Sequence, residues 1–309
     1  MPTYIARISY GKDSLKMLDV IASRHLPLDR ITTSDVWATD TIPAELPPVT
    51  EFKARMDEYI FKKYRIEVEH LCARNKDGSK RTYEQCFYYV PDRSQNSKVE
   101  RERERRRVSK IQGFPVHGKP WCQSHLKQRT VEIDARSDRG ISRNGKESHM
   151  VSEAQGESNF SPETAATVGK DIVSYIGIAA DEPKRFGQLK PKLRAPLVEF
   201  GIDEDLCGLH CMYEGILSPT YDNSYRDGCW FCHNQPVDQL RRLRALYPDR
   251  WALLLKWDKD SPTTFHPDGH TVADFDKRFQ LEDEKLIDPL KPFRWSMIED
   301  GAILQTSLF

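Results

Sequence analysis

Two short runs have the residue types and spacing to do chemistry: Ser9-Tyr10-Gly11-Lys12-Asp13-Ser14 and Gly228-Cys229-Trp230-Phe231-Cys232. The first follows a stretch rich in β-branched and aromatic residues and precedes an amphipathic one. A strand whose end loop opens onto a helix presents unpaired backbone N–H groups and the positive end of the helix dipole, which together make an anion site. Gly11 lets the backbone come close to an oxyanion. Lys12 adds a mobile positive charge, Ser9 and Ser14 supply hydroxyls, and Asp13 can orient Lys12 or help hold Mg²⁺. The Walker A spacing is absent. The same letters also suit a surface turn that caps a helix, but their position after the first strand favours the anion site. The second run is a Cys-x-x-Cys pair, in which both thiolates can face one ion across a turn. Its competing reading is a pair of small buried hydrophobes beside Trp230 and Phe231.

Elements that could position these residues are visible in the pattern. Thr3 to Ser9 reads as a strand and Lys12 to Arg24 as a helix with Leu15, Leu18 and Ile21 at helical spacing. Arg30 to Trp37 reads as a second strand, and Pro43, Pro47 and Pro48 as breaks. Thr50 is expected to cap a helix over Glu51–Tyr64, with Ile66–Leu71 as a third strand. This alternation implies right-handed crossovers and a parallel sheet. Ile172–Ile178 reads as a buried strand, Leu197–Phe200 as a short extended piece and Asp203–Tyr213 as a helix. Val237–Trp257 and Asp276–Leu286 read as further helical segments, with Trp251, Trp257 and Trp295 as core anchors. Asp181, Glu182, Lys184 and Arg185 follow a buried strand at the end where α/β sheets bind ligands, so Glu182 and Arg185 become candidates for substrate or metal contact.

Several blocks resemble the phosphoadenosine phosphosulfate (PAPS) reductase family of PP-loop ATP pyrophosphatases. Ser9–Ser14 is similar to the family's PP-loop. Ala38-Thr39-Asp40-Thr41-Ile42-Pro43 resembles its acidic segment near the substrate, and Trp121-Cys122-Gln123-Ser124-His125-Leu126-Lys127 its Cys-x-x-x-Leu-Lys segment. Gly177-Ile178-Ala179-Ala180-Asp181-Glu182-Pro183-Lys184-Arg185 resembles its Gly-Ile-Arg-x-x-Glu-x-x-Arg segment. Pro196–Phe200 and Ser218–Asp222 match the stretches leading to the terminal cysteine pair. Some positions depart from the pattern. Tyr10 stands where many PP-loops carry a second Gly, Ala179 stands where reductases usually carry Arg, and Trp121 takes the place of a cluster cysteine. The tail ends without the family's cysteine, and Cys207-Gly208-Leu209-His210, on an expected helix, is a coincidence of letters.

The resemblance implies an α/β, Rossmann-like adenine nucleotide alpha hydrolase fold, a parallel sheet with helices on both faces. The nucleotide-binding domain would cover 1–235, interrupted by an insertion at about 134–162, with a helical C-terminal extension over 236–309. It implies ATP and Mg²⁺ as cofactors. Ser9, Tyr10, Gly11, Lys12, Asp13 and Ser14 would hold the phosphates, with Lys12, Asp13, Asp40, Glu182 and Arg185 as catalytic candidates. The expected activity is cleavage of ATP to AMP and pyrophosphate while a substrate is adenylylated for sulfur transfer. The alternatives are a sulfonucleotide (PAPS/APS) reductase and a non-catalytic nucleotide-binding subunit of a nucleic-acid modification or defence complex. The resemblance also brings Cys122 toward Cys229 and Cys232. Three thiolates suit a [4Fe-4S] cluster with one open iron, or Zn²⁺ completed by His233, His125 or His117.

Composition sets the remaining bounds. Lys plus Arg equals Asp plus Glu, 47 against 47 in 309 residues, so net charge calls for no polyanionic partner. The stretch 96–149 is nonetheless basic, and its Arg101–Arg107 arm is a candidate contact for nucleic acid or a protein complex; interleaved Glu100, Glu102 and Glu104 weaken that contact. No apolar run spans a membrane and no secretory leader is apparent, so a cytoplasmic enzyme is expected. Seven cysteines in a reducing compartment argue against a disulfide framework; Cys72, Cys86, Cys207 and Cys211 are assigned to packing.

Overall fold

The computed structural model describes residues 2–91, 111–116, 118, 120–128, 172–189, 191–221 and 228–296. The insertion at 134–162, the arm 101–107, His117 and the C-terminal tail lie outside them. The chain divides into two units: Met1–Cys86 with Lys119–Cys229, and Phe87–Gly118 with Trp230–Phe309. The helical extension expected from residue 236 therefore takes in a segment from the middle of the chain.

The first unit is an α/β, Rossmann-like body built on a five-stranded, all-parallel sheet of order β3-β2-β1-β4-β5. The strands are β1 (Thr3–Ile8), β2 (Arg30–Asp35), β3 (Val68–Cys72), β4 (Ile172–Ile176) and β5 (Leu193–Arg194). Helix α1 (Lys12–Ser23) links β1 to β2, and α2 (Pro47–Tyr64) links β2 to β3. Among the described residues four shorter helices follow: α3 (Tyr83–Phe87, its last residue already in the second unit), α4 (Pro183–Phe186), α5 (Pro196–Glu199) and α6 (Glu204–Tyr213). Residues Gln123–Gln128 form a π-helical turn.

Register puts Ala6 beside Ile31 and Tyr175. With Ile8 these side chains make one apolar face, which α1, α2, α5 and α6 cover through Leu15, Leu18, Phe52, Met56, Ile60, Leu197, Cys207 and Cys211. Each fully buried large side chain there contributes about 1.5–3 kcal/mol. Ile5 and Ile172, on the alternate positions, form a small separate cluster. That face also carries polar pairs: Arg7 donates from Nε to Ser174 Oγ (3.2 Å), and Arg30 grips Glu69 bidentately. Helices on both faces were expected; these four share one face.

Other expectations shift for local reasons. Helix α2 starts at Pro47, four residues before the expected Glu51, with Leu46 as N-cap. Proline at the first helical positions lacks only an N–H that would be unpaired there anyway. Thr50 lies within the first turn and donates to the Pro47 carbonyl. The stretch expected to be extended at Leu197–Phe200 is the single turn α5, again opened by proline. The first strand stops at Ile8, the second at Asp35, and β4 at Ile176.

In the second unit, the helical run expected from Val237 is two helices, α7 (Val237–Leu246) and α8 (Pro248–Asp260), divided before Pro248; α9 (Val272–Asp283) follows. Trp251 and Trp257 are buried, while Trp295 is only partly so and stacks on His270. Arg241 and Arg278 both donate to the buried Glu282 carboxylate, so the charge taken out of water there is paired. Among the described residues, no helix is long and apolar enough to cross a membrane.

Candidate functional site

Successive crossovers carry the chain from β1 to β2 to β3 in one direction, and β4 and β5 lie on the other side of β1. The carboxyl ends of β1 and β4 thus diverge at a topological switch point, where open α/β sheets leave a crevice. The loop Ser9–Ser14 leaves β1 at that crevice. Its backbone turns at Tyr10, which takes the left-handed conformation at φ 59°, while Gly11 is extended (φ −73°, ψ 159°) and serves as the N-cap of α1. The conformational exception therefore falls one residue before the glycine. Among the described residues no side chain caps α1, so its first-turn amides have no side-chain acceptor. Ser14 braces the loop internally: its hydroxyl donates to the Gly11 carbonyl (2.9 Å) and accepts from the Ser9 amide (3.3 Å).

The end of β4 presses against this loop. A Cβ on Gly177 would fall 2.8 Å from Ser14 N and 2.9 Å from Asp13 C and Ser14 Cα, so only glycine lets the two backbones approach this closely. Beside the contact lies a cleft of about 220 Å³. Ser9, Ser14, Thr32, Thr33 and Ser34 line it with hydroxyls, and Arg7 and Arg185 with positive charge. The Ser34 hydroxyl is buried and has no hydrogen-bond partner among the described residues.

Carboxylates converge above the loop. Asp13, Glu182 and Glu204 each place an oxygen within 4.8 Å of the others, a hard-donor set suited to a divalent cation such as Mg²⁺. Cations already balance them: Lys12 Nζ lies 3.1 Å from Asp13 and 3.0 Å from Glu204, and Arg185 Nη1 donates to both Glu182 oxygens at 2.7 Å. Burial alone would lower the Lys12 pKa, but the hydrogen bonds from Glu204 and Asp13 outweigh it and hold the ammonium above its ordinary value. Lys12 is thus firmly charged.

No family model matches this chain, and no curated protein or solved structure matches it.

The fold brings together Lys12 and Asp13, Glu182 and Arg185, and Glu204 from three separated stretches of sequence. Asp40 is exposed on the segment after β2, where it meets Lys80 through its carbonyl (2.8 Å) and Gln85 through its carboxylate (3.5 Å), outside the carboxylate group. Ala179 is fully buried and its amide donates to Glu182, so this position carries no charge into the site. The cysteines named for a metal are divided between units: Cys122 and Cys229 belong to the first, Cys232 to the second, and all are half-buried. Cys207 and Cys211 are fully buried against α1, with Cys211 Sγ 3.6 Å from the Lys12 carbonyl. Burial pushes their thiols up, to about 12 and about 11. Such thiols do not suit a nucleophile, so Cys207-Gly208-Leu209-His210 does not replace a reactive tail.

Sequence reasoning missed Glu204, which no local motif marks, and the packing role of Gly177. It also missed the polar cluster behind Tyr10, although a histidine near the end of a strand was a visible signal.

Proposed function

We propose that this chain is a PP-loop ATP pyrophosphatase with an adenine nucleotide alpha hydrolase fold. On this reading it binds ATP and cleaves it to AMP and pyrophosphate as it adenylylates a substrate for sulfur transfer. The observation that carries the reading is the loop itself: an uncapped helix N-terminus, opened by Ser9–Ser14, stands at the switch point of a parallel sheet beside a cleft rich in hydroxyls and arginine. The buried Ser34 hydroxyl is left for a ligand atom to satisfy. At about 220 Å³ the cleft takes part of a nucleotide and leaves the rest at the surface.

The α1 amides and Lys12 would hold the phosphate oxygens, and Asp13, Glu182 and Glu204 have the donor chemistry to hold Mg²⁺. The ion, when bound, would offset negative charge on the departing pyrophosphate. A substrate oxygen attacks the α-phosphorus, the bond to the β-phosphate oxygen breaks, and pyrophosphate carries the electron pair away. Catalysis is then chiefly positioning and charge stabilisation. Lys12 must leave Glu204 to reach a phosphate, so nucleotide and Glu204 compete for one ammonium. On the family resemblance, Cys122, Cys229 and Cys232 would supply thiolates to a [4Fe-4S] cluster or Zn²⁺ on the sulfur-transfer side of this proposal.

Calorimetry with ATP and Mg²⁺, followed by an assay for AMP and pyrophosphate, tests the reading. Wild type should bind and turn over, and Lys12→Ala should lose about 10²–10³ in kcat/KM. Wild-type protein that takes up no ATP would refute it.

A further inference from the structure

Behind the loop lies a polar cluster that the proposed chemistry does not use. Tyr10 holds the left-handed backbone conformation that a side chain makes costly, yet its ring is only 2% exposed. Its hydroxyl donates to Asp57 Oδ1 on α2 and lies 3.3 Å from His70 Nε2 on β3. His70 bridges two acids, with Nε2 3.0 Å from Asp57 Oδ2 and Nδ1 2.8 Å from Asp35 Oδ2 at the end of β2. Lys53 on α2 closes the group. Its ammonium lies 3.2 Å from Asp35 and 2.7 Å from Glu45, and 5.1 Å from the centre of the Tyr10 ring. The ends of β2 and β3 and the helix α2 thus contribute to one connected chain, α2 through both Lys53 and Asp57.

A carboxylate at each ring nitrogen requires a proton on each, because only the imidazolium donates at both ends. A glycine at position 10 would have no side chain for this chain to hold, and a ligand would then have to select the loop's shape. With tyrosine there, the protein imposes the shape and offsets its strain with the part-buried hydrogen bonds of the Tyr10 hydroxyl.

We propose that Tyr10 is a positioning residue that fixes the Ser9–Ser14 loop in its binding shape, and that the Asp57–His70–Asp35 bridge sets the strength of that hold. The ligand this shape serves rests on the ATP reading above; the hold itself does not. Asp35, Asp57, Lys53, Glu45 and Tyr10 are the titratable groups that the structure places around His70 and its two acids. When the ring loses a proton, one nitrogen turns a lone pair toward a carboxylate and the bridge opens. The hold is therefore strongest near neutral pH and weakens in mildly alkaline solution.

Hydrogen exchange of the loop amides in the full chain, without nucleotide, reads the hold directly. Tyr10→Phe, which keeps the ring, and Asp57→Asn should each speed exchange of residues 9–14 by about tenfold, the scale of one lost hydrogen bond. His70→Gln should do the same, and Tyr10→Phe combined with His70→Gln should be no faster than either alone. Once intrinsic rates are removed, wild-type exchange should quicken between pH 6.5 and 9.5, and His70→Gln should abolish that rise (both values chosen to bracket the imidazole range, about 6.5 and above). Circular dichroism identifies any variant that fails to fold. Unchanged loop exchange in folded Tyr10→Phe, or additive effects in the double variant, would overturn the proposal. If the loop responds as expected but wild type binds no ATP, the positioning role stands and the nucleotide reading fails.

Discussion

Gly177→Ala isolates the contact between β4 and the phosphate loop. The added methyl would lie 2.8–2.9 Å from Ser14 N, Asp13 C and Ser14 Cα, where ordinary contact begins at 3.4 Å. Every atom it meets is backbone, so no rotamer change relieves the overlap. The strand end and the loop must part by roughly 0.5 Å or more, and overpacking of this kind costs about 1–3 kcal/mol. Fixed backbone on both sides places Gly177→Ala in the upper half of that range. A misplacement of about 1 Å in a catalytic array costs about 10²-fold, so half that distance should lower ATP turnover by about tenfold. Gly208→Ala supplies the contrast. It lies inside α6, where the new methyl meets only Lys12 Cδ at 3.9 Å. Removing a helical glycine there should stabilise the protein by about 0.5–1 kcal/mol. Urea unfolding with an unchanged m-value should therefore move the midpoint down for one alanine and up for the other. Equal stability of Gly177→Ala and wild type, with unaltered exchange at Asp13 and Ser14, would show that the strand end does not shape the loop.

Other expectations follow from the site. Hydrogen bonds to Asp35 and Asp57 raise the His70 pKa to about 9. A raised value means that its stabilising contribution is complete below about pH 6.5 and is lost as pH rises through about 9. Unscreened linkage would make this roughly 3 kcal/mol, but the ring is 37% exposed, which reduces the expectation to about 1 kcal/mol. The difference between wild-type and His70→Gln urea midpoints at pH 6 and pH 9.5 checks it. Glu204→Gln removes a metal donor and the competitor for Lys12. It should make nucleotide binding less dependent on Mg²⁺ while leaving Mg²⁺-free binding equal or tighter, a pattern calorimetry with and without chelator resolves. Anaerobically purified protein should contain iron or zinc, and Cys229→Ser or Cys232→Ser should lose it by elemental analysis; metal-free wild type would remove the thiolate site.

Much of the scaffold was legible because its signals are local. A β-branched run before a glycine loop marked β1, apolar residues at helical spacing marked α1, and the alternation of strand and helix marked the parallel sheet. Proline misled where its meaning depends on position: Pro47 and Pro196 open helices that were read as a break and an extended piece. The two-residue β5 is too short to carry a period. Within the site, Lys12 and Asp13 announced themselves by neighbourhood. Glu204 could not, since its meeting with Asp13 depends on α6 folding back along α1. Asp57 and His70 were hidden for the same reason: neither lies near Tyr10 in sequence, and only the pairing of β2 with β3 and the return of α2 bring them together.

The strand order carries one more consequence. Both sides of the crevice are assembled by short, local crossovers, except for the long excursion of chain between Cys72 and Ile172. Loop-closure entropy grows only logarithmically with chain length, each doubling adding about 0.6 kcal/mol. Added length in that connection therefore costs the sheet little in closure entropy, whereas the stretches of it that carry the buried Tyr83, Phe87, Phe114 and Leu126 are tied down by packing and resist exchange.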